Sequence, residues 1–247
     1  MGLGGALAGM SVGNQPAYAL LEDIKRKGRC PTYEDVKGSG IVDTFDVDKY
    51  MGIWYELAYH DFTQYKICGC TRFNMTRRGN VIEDMFTTKC PYGYDEADTF
   101  AINMTMAYNS ATPGRFPEHA FYQDWPNMVV NLWGSADGGG GHTYQRSIQM
   151  QCVQLAKQRV FVGFNFLSRR PIIPPAKLEE MYDRAAELGL APYGATREQM
   201  ITVRHEGCTY PLSTDRSVIQ GRSSRSWGSA VGVNILERSL VVVDGLS

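Results

Sequence analysis

Cysteine is the residue whose number and spacing most directly suggest chemistry in this chain. Six cysteines run from Cys30 to Cys208. An even set fits disulfides better than a metal site, and disulfides place the chain in an oxidising compartment. Cys68-Gly69-Cys70 is the only close pair, and it lacks the two-residue gap and the second pair of a structural zinc site. His60, His119, His142 and His205 are dispersed with no spacing that suggests a metal site or a triad, so each reads as a surface or loop residue. The run Gly138 to Gly141 has neither the Lys nor the Ser/Thr of a phosphate-binding loop and reads as a hairpin loop. Asn74-Met75-Thr76 and Asn103-Met104-Thr105 are N-glycosylation sequons, meaningful only on a eukaryotic secretory route.

The elements that must position these residues read mostly as strands. Gly52 to Tyr59 is a run of aromatic and apolar residues with strong strand preference. Cys70 to Thr76 and Val81 to Cys90 flank Arg77-Arg78-Gly79-Asn80, whose Gly-Asn pair suits the positive φ of a tight hairpin turn. A turn centred at Gly79 sets Cys68 opposite Cys90, within reach of a bridge. Phe100 to Tyr108, Asn127 to Trp133, Tyr144 to Leu155 and Arg159 to Phe166 are further strands, separated by Pro-rich, Gly-rich or charged breaks.

One segment has helical spacing. Pro174-Pro175 opens it, Gly189 closes it, and Leu178, Met181, Tyr182, Ala185 and Leu188 form its apolar stripe. The other face is charged, so the stripe is packing against a wall and not a cofactor box. Many antiparallel strands followed by one amphipathic helix close most easily as an up-and-down barrel, which leaves no exposed sheet edge.

A formal net charge of -1 provides no basic footprint, so nucleic acid and anionic membrane surfaces are poor partners. No apolar run approaches the roughly 18 residues that span a bilayer, so the chain reads as soluble or at most peripheral. Residues 1–29 read as a leader and N-terminal arm, with Ala17-Tyr18-Ala19 resembling a signal-peptidase site. Residues 30–211 read as one domain. Residues 212–247 read as a tail, rich in Ser, Arg and Gly from Ser213 to Ser229, with an apolar stretch from Val231 to Val243 that could dock on a partner.

Phe45 to Glu56, and within it Gly52-Ile53-Trp54, resembles the first signature of the lipocalins in the form found in apolipoprotein D and the bacterial lipocalins. Phe166-Leu167-Ser168-Arg169-Arg170-Pro171 is similar to that group's third signature, and the resemblance covers most of Cys30 to Pro211. The resemblance implies an all-β fold, an eight-stranded antiparallel up-and-down calycin barrel with one C-terminal helix (about 174–188) on its wall. It implies that Gly52 and Trp54 start the first strand, that Arg169 stacks on Trp54 and closes the barrel, and that these residues do not bind ligand. It also implies the pairs Cys70 with Cys208 and Cys30 with Cys152, leaving Cys68 and Cys90, the two that hairpin register sets opposite each other. The second signature, usually Thr-Asp-Tyr, is replaced by Ser135-Ala136-Asp137 and the glycine run, so ligand residues do not carry over from a relative.

The function expected from this reading is binding of a small hydrophobic molecule, a lipid, carotenoid or other pigment, with no required cofactor and no metal. A second expectation is enzymatic. The chain is more distantly similar to violaxanthin de-epoxidase and its relatives, in which a buried carboxylate would protonate an epoxide; Asp61, Glu83 and Asp84 are the candidates. A third is a structural subunit of a photosynthetic membrane complex, docked through the C-terminal tail. The compartment is expected to be a thylakoid lumen or the secretory route.

Overall fold

The structure, a computed structural model, describes residues 28–38, 42–91, 98–120, 123–134, 144–155 and 158–210. The sequence readings at Ala17-Tyr18-Ala19, Ser135-Ala136-Asp137, Gly138 to Gly141, His142 and the tail from Ser213 lie outside the described residues.

Two short helical turns precede the barrel. In α1 (Tyr33–Val36) the Thr32 side chain and Asp35 cap one another, and in α2 (Val47–Tyr50) the Asp46 carboxylate accepts from the amides of Asp48 and Lys49. Both turns bury their apolar residues, and α2 delivers Tyr50 to the base of the barrel, fully buried. Eight strands follow: β1 (Gly52–His60), β2 (Gly69–Arg78), β3 (Val81–Cys90), β4 (Asp98–Ala107), β5 (Arg115–Ala120), β6 (Gln123–Gly134), β7 (Tyr144–Leu155) and β8 (Gln158–Ser168). Each pairs antiparallel with the next, and β1 pairs with both β8 and β2, so the sheet closes on itself. The barrel leaves no edge between first and last strand.

β5 was not among the strands read from the sequence. It is six residues long, and Pro117 stands directly opposite Pro126 of β6. Proline lacks the N–H that a ladder needs, which hides such a strand from propensity arguments. β5 meets β4 at Thr105–His119 and Met106–Glu118 alone, so little of its other edge needs donors.

The β2–β3 hairpin turns at Gly79, whose φ of +61 suits glycine, and Arg78 stands opposite Val81. From Arg72 to Arg78 the ladder runs one residue out of step with the register that brings Cys68 to Cys90. A bulge between Gly69 and Arg72 makes up the difference. Cys70 lies in that bulge with φ of +57, a left-handed conformation unusual for a residue with a side chain. Its disulfide to Cys208 and the hydrogen bond from its amide to the Arg204 carbonyl (2.8 Å) hold it there.

After the barrel, α3 (Pro175–Glu187) lays Met181, Tyr182 and Ala185 against the outer face of β7 and β8, with the Tyr182 ring 5.1 Å from that of Phe166. The chain then returns as β9 (Ile201–Thr202) beside Ala58 and Tyr59. Val203 donates to the Leu57 carbonyl while Arg204 accepts from Cys70, so this segment bridges β1 and β2 where their own pairing has ended at Tyr55–Arg72. The remaining disulfides, Cys30–Cys152 and Cys68–Cys90, tie the N-terminal arm to β7 and the β2–β3 hairpin to its own base. Three disulfides indicate an oxidising compartment. Among the described residues no helix is long and apolar enough to cross a membrane.

Candidate functional site

Cross-strand partners share a face of the sheet, so the register identifies what points into the barrel. Starting from Trp54 at the base, the inward rows run through Phe73 and Phe86 to Ile102, through Met75 and Asp84 to Met104, and through Ile82 and Met106 to Glu118 and Trp125. On the far wall Asn127, Gln151 and Gly163 form one row, and Ser147, Leu167 and Glu56 another.

The floor is closed by Trp54 and Arg169. The guanidinium lies 3.7 Å from the indole centroid and donates to the backbone carbonyls of Tyr144, Ile53, Lys49, Tyr50 and Met51. Burial pushes its pKa down to about 10, so it remains charged at neutral pH. The Trp54 indole N–H donates to the Tyr50 carbonyl (2.8 Å), and the Tyr50 hydroxyl bonds Ser147 and Gln149. Each of these polar groups has a partner within the protein.

Above the floor the barrel changes character. Three inward carboxyl groups, Glu56, Asp84 and Glu118, are 0%, 1% and 8% exposed. Glu56 Oε2 accepts from Gln64 (2.6 Å). Glu118 Oε2 accepts from Gln151 (2.8 Å) and Asn127 (3.4 Å). Among the described residues Asp84 Oδ1 has no partner, nor do Asn127 Oδ1 and the Tyr59 hydroxyl, all of them buried. Asp61, at the top of β1, is held by the amide and hydroxyl of Thr63, both at 2.7 Å.

Burial dominates the electrostatics. It pushes Glu56 up to about 8, Glu118 up to about 7 and Asp84 well above the carboxylate range, and it also raises Asp61. The charged neighbours add to the effect: Glu118 acts on Asp84, and Asp61 on both Glu118 and Glu56. His60 is the basic group near Asp61, and among the described residues no lysine or arginine acts on any of the four. Among the described residues no three metal-ligating side chains come together.

Of the carboxylates singled out in the sequence, Asp84 points inward and Asp61 sits at the mouth. Glu83 faces outward, paired with Arg78 at 3.2 Å, because strand alternation sends neighbours to opposite faces. The sequence reading passed over Glu56 and Glu118. Glu56 carried a usable signal, since it lies two residues beyond Trp54 on one strand; Glu118 lies on the unread β5.

His205 is also corrected: it is buried, not a surface residue. Its Nε2 donates to the Glu56 carbonyl (2.7 Å), and its Nδ1 accepts from the Tyr210 hydroxyl. The sequon residues Asn74 and Asn103 both pair with Met85 and so share one outward-facing row.

The sequence matches no family model and no curated protein. The fold matches solved structures. Apocrustacyanin C2 is 13% identical with a TM-score of 0.52, covering 74% of this chain and 92% of that one. Lobster apocrustacyanin A1 is 12% identical with the same score and coverage. Insecticyanin from the tobacco hornworm Manduca sexta is 14% identical at 0.52, covering 74% and 90%. At these identities the likeness concerns the fold alone, an eight-stranded closed antiparallel barrel of lipocalin type followed by a helix.

Proposed function

We propose that the barrel binds a small, largely apolar molecule with a polar head, in the class of lipids, carotenoids or other pigments. The observation that carries this reading is the pairing of bare acceptors with apolar walls. Asp84 Oδ1 and Asn127 Oδ1 are buried without partners, and unpaired polar atoms in an interior cost about 1 to 3 kcal/mol each unless something occupies the space beside them. Around them, Met75, Met104, Phe73, Phe86 and Ile102 offer a surface on which an apolar body gains roughly 25 cal/mol per Å² removed from water. A barrel of this strand number can hold one small ligand where its inward side chains leave space.

The test is a titration of the oxidised chain with retinoids, carotenoids and fatty acids, followed by quenching of Trp54 and Trp125. Saturable quenching with chemically unchanged ligand supports the reading. No saturable binding sinks it and leaves the barrel as a scaffold for a complex, the third expectation.

A second reading is favoured by the raised pKa of Asp84. A buried carboxyl raised well above the ordinary carboxylate range holds its proton more readily than a free one, as a general acid must, and with a reductant such as ascorbate it would open an epoxide. Conversion of an epoxy-carotenoid in the presence of ascorbate, lost in Asp84→Asn, would establish it; unchanged substrate excludes it. An oxidising compartment suits either reading, whether thylakoid lumen or secretory route.

A further inference from the structure

We infer that the head group of the barrel's ligand is a protonated amine, held between Asp84 and Glu118 on an apolar body that lies among the methionines and aromatic rings; this rests on the binding reading above and specifies its ligand class.

Three independent features of the wall converge on it. The first is the kind of partner that is missing. Asp84 Oδ1 and the Asn127 amide oxygen are both unpaired, and both are acceptors, while the Asn127 amide nitrogen is already committed to Glu118 Oε2 and the Met106 sulfur. Bare acceptors ask for a donor, and an ammonium supplies three donors with no acceptor. A carboxylate head brings only acceptors, and a hydroxyl brings one donor.

The second feature is charge. Asp84 faces Glu118 and accepts from the backbone amide of Asn74, while Glu118 faces Asp61 and the amides of Asn127 and Gln151; among the described residues no lysine or arginine acts on either. The two carboxyls stand on neighbouring inward rows, since Asp84 pairs with Met104, and Met106, two residues on, pairs with Glu118. Buried carboxyls without counter-charge are costly to ionise, and a bound cation provides the counter-charge the protein omits. The described residues contain no group of three metal-ligating side chains, which argues for an organic cation carried by one or two hydrogen bonds over a metal ion.

The third feature is the aromatic surround. Trp125 is the cross-strand partner of Glu118 and packs edge-on against Phe161 with ring centroids 4.9 Å apart. Phe73 and Phe86, 5.3 Å apart, occupy the row beside Asp84. Ring faces near an ammonium add cation–π attraction, which strengthens when the pair is shielded from water.

The experiment compares one chain length with three heads. Decylammonium, decanol and decanoate are titrated into the oxidised chain and into Asp84→Asn and Glu118→Gln, with binding followed by tryptophan fluorescence and by the shift in melting temperature. In the wild type, decylammonium is expected to bind at least about tenfold more tightly than decanol, and decanoate more weakly than either. Each variant should bring decylammonium to within about threefold of decanol while decanol binding holds, because the variants keep shape and remove only charge. Equal binding of the three heads in the wild type overturns the amine assignment and leaves the binding reading standing. Selectivity for decylammonium that survives both variants overturns the assigned site. Absence of saturable binding by all three overturns both readings. Wild-type melting shifts ranked ammonium, alcohol, carboxylate test the head group even if a variant fails to fold.

Discussion

The floor of the barrel and the wall above it are built from the same strands and differ in one respect. At the floor each polar group named above meets a protein partner: Arg169 satisfies five backbone carbonyls and stacks on Trp54, and Tyr50 bonds Ser147 and Gln149. On the wall, Asp84 and Asn127 each leave an oxygen bare, and among the described residues the charged groups acting on Glu56, Asp84 and Glu118 are other carboxyls, with no arginine or lysine to offset them. A satisfied polar cluster specifies a structure. An unsatisfied one is tolerated where another molecule completes it.

The largest test of that contrast is at the floor. Trp54→Ala should cost about 3 to 5 kcal/mol, the range for emptying an aromatic site in a core, read as a fall in the urea midpoint. A loss below about 1 kcal/mol would mean the floor does not hold the barrel closed. Arg169→Met is expected to cost about 2 to 4 kcal/mol, because the buried carbonyls it serves lose their donor while the side-chain volume stays. Near-neutral stability in this variant would show that water reaches those carbonyls.

The wall should respond to pH in the opposite sense from a salt-bridged acid. Glu56 and Glu118 titrate near 8 and 7 in the folded chain and near 4.5 when unfolded. Between these limits the folded state holds protons that the unfolded chain releases. Stability is therefore greatest on the acid side, falls as pH rises from 4.5 through 8, and then levels off, by on the order of a few kcal/mol. Urea midpoints at about pH 5 and pH 8.5 check this, and Glu56→Gln should flatten the slope. A midpoint that rises over the same interval would contradict the burial of these groups. The smallest effect is assigned to Glu83→Gln, on the outside of the barrel and partly exposed beside Arg78: stability within about 0.5 kcal/mol and unchanged ligand binding. A loss of binding there would reverse the assignment of faces along β3.

Much of this was legible in residue order. The stretch Gly52 to Glu56, the helix ending at Gly189 and the Gly79-Asn80 turn depend on contacts among near neighbours, so their patterns survive in a linear reading. The disulfides Cys30–Cys152 and Cys70–Cys208 match the pairs that the lipocalin resemblance implies, and Cys68–Cys90 the pair set by the hairpin. Only the fold explains how Cys68 reaches Cys90: the bulge at Cys70 shifts the ladder by one residue, and there the Cys70 amide bonds the returning segment at Arg204. β5 escaped for a related reason. Its proline, Pro117, argues against a strand locally, and only closure of the barrel requires one there.

The sequence by itself indicated seven of the eight strands, the helix and the oxidising chemistry of the cysteines through local periodicity and residue spacing, and its lipocalin resemblance implied the Trp54–Arg169 pair. Tertiary structure alone decided which carboxylates share the interior. A side chain's face depends on register and bulges summed around the whole barrel, and its charge state depends on what those neighbours are. Glu83 and Asp84 are adjacent in sequence; one faces outward beside an arginine, and the other faces the barrel interior with an oxygen left bare.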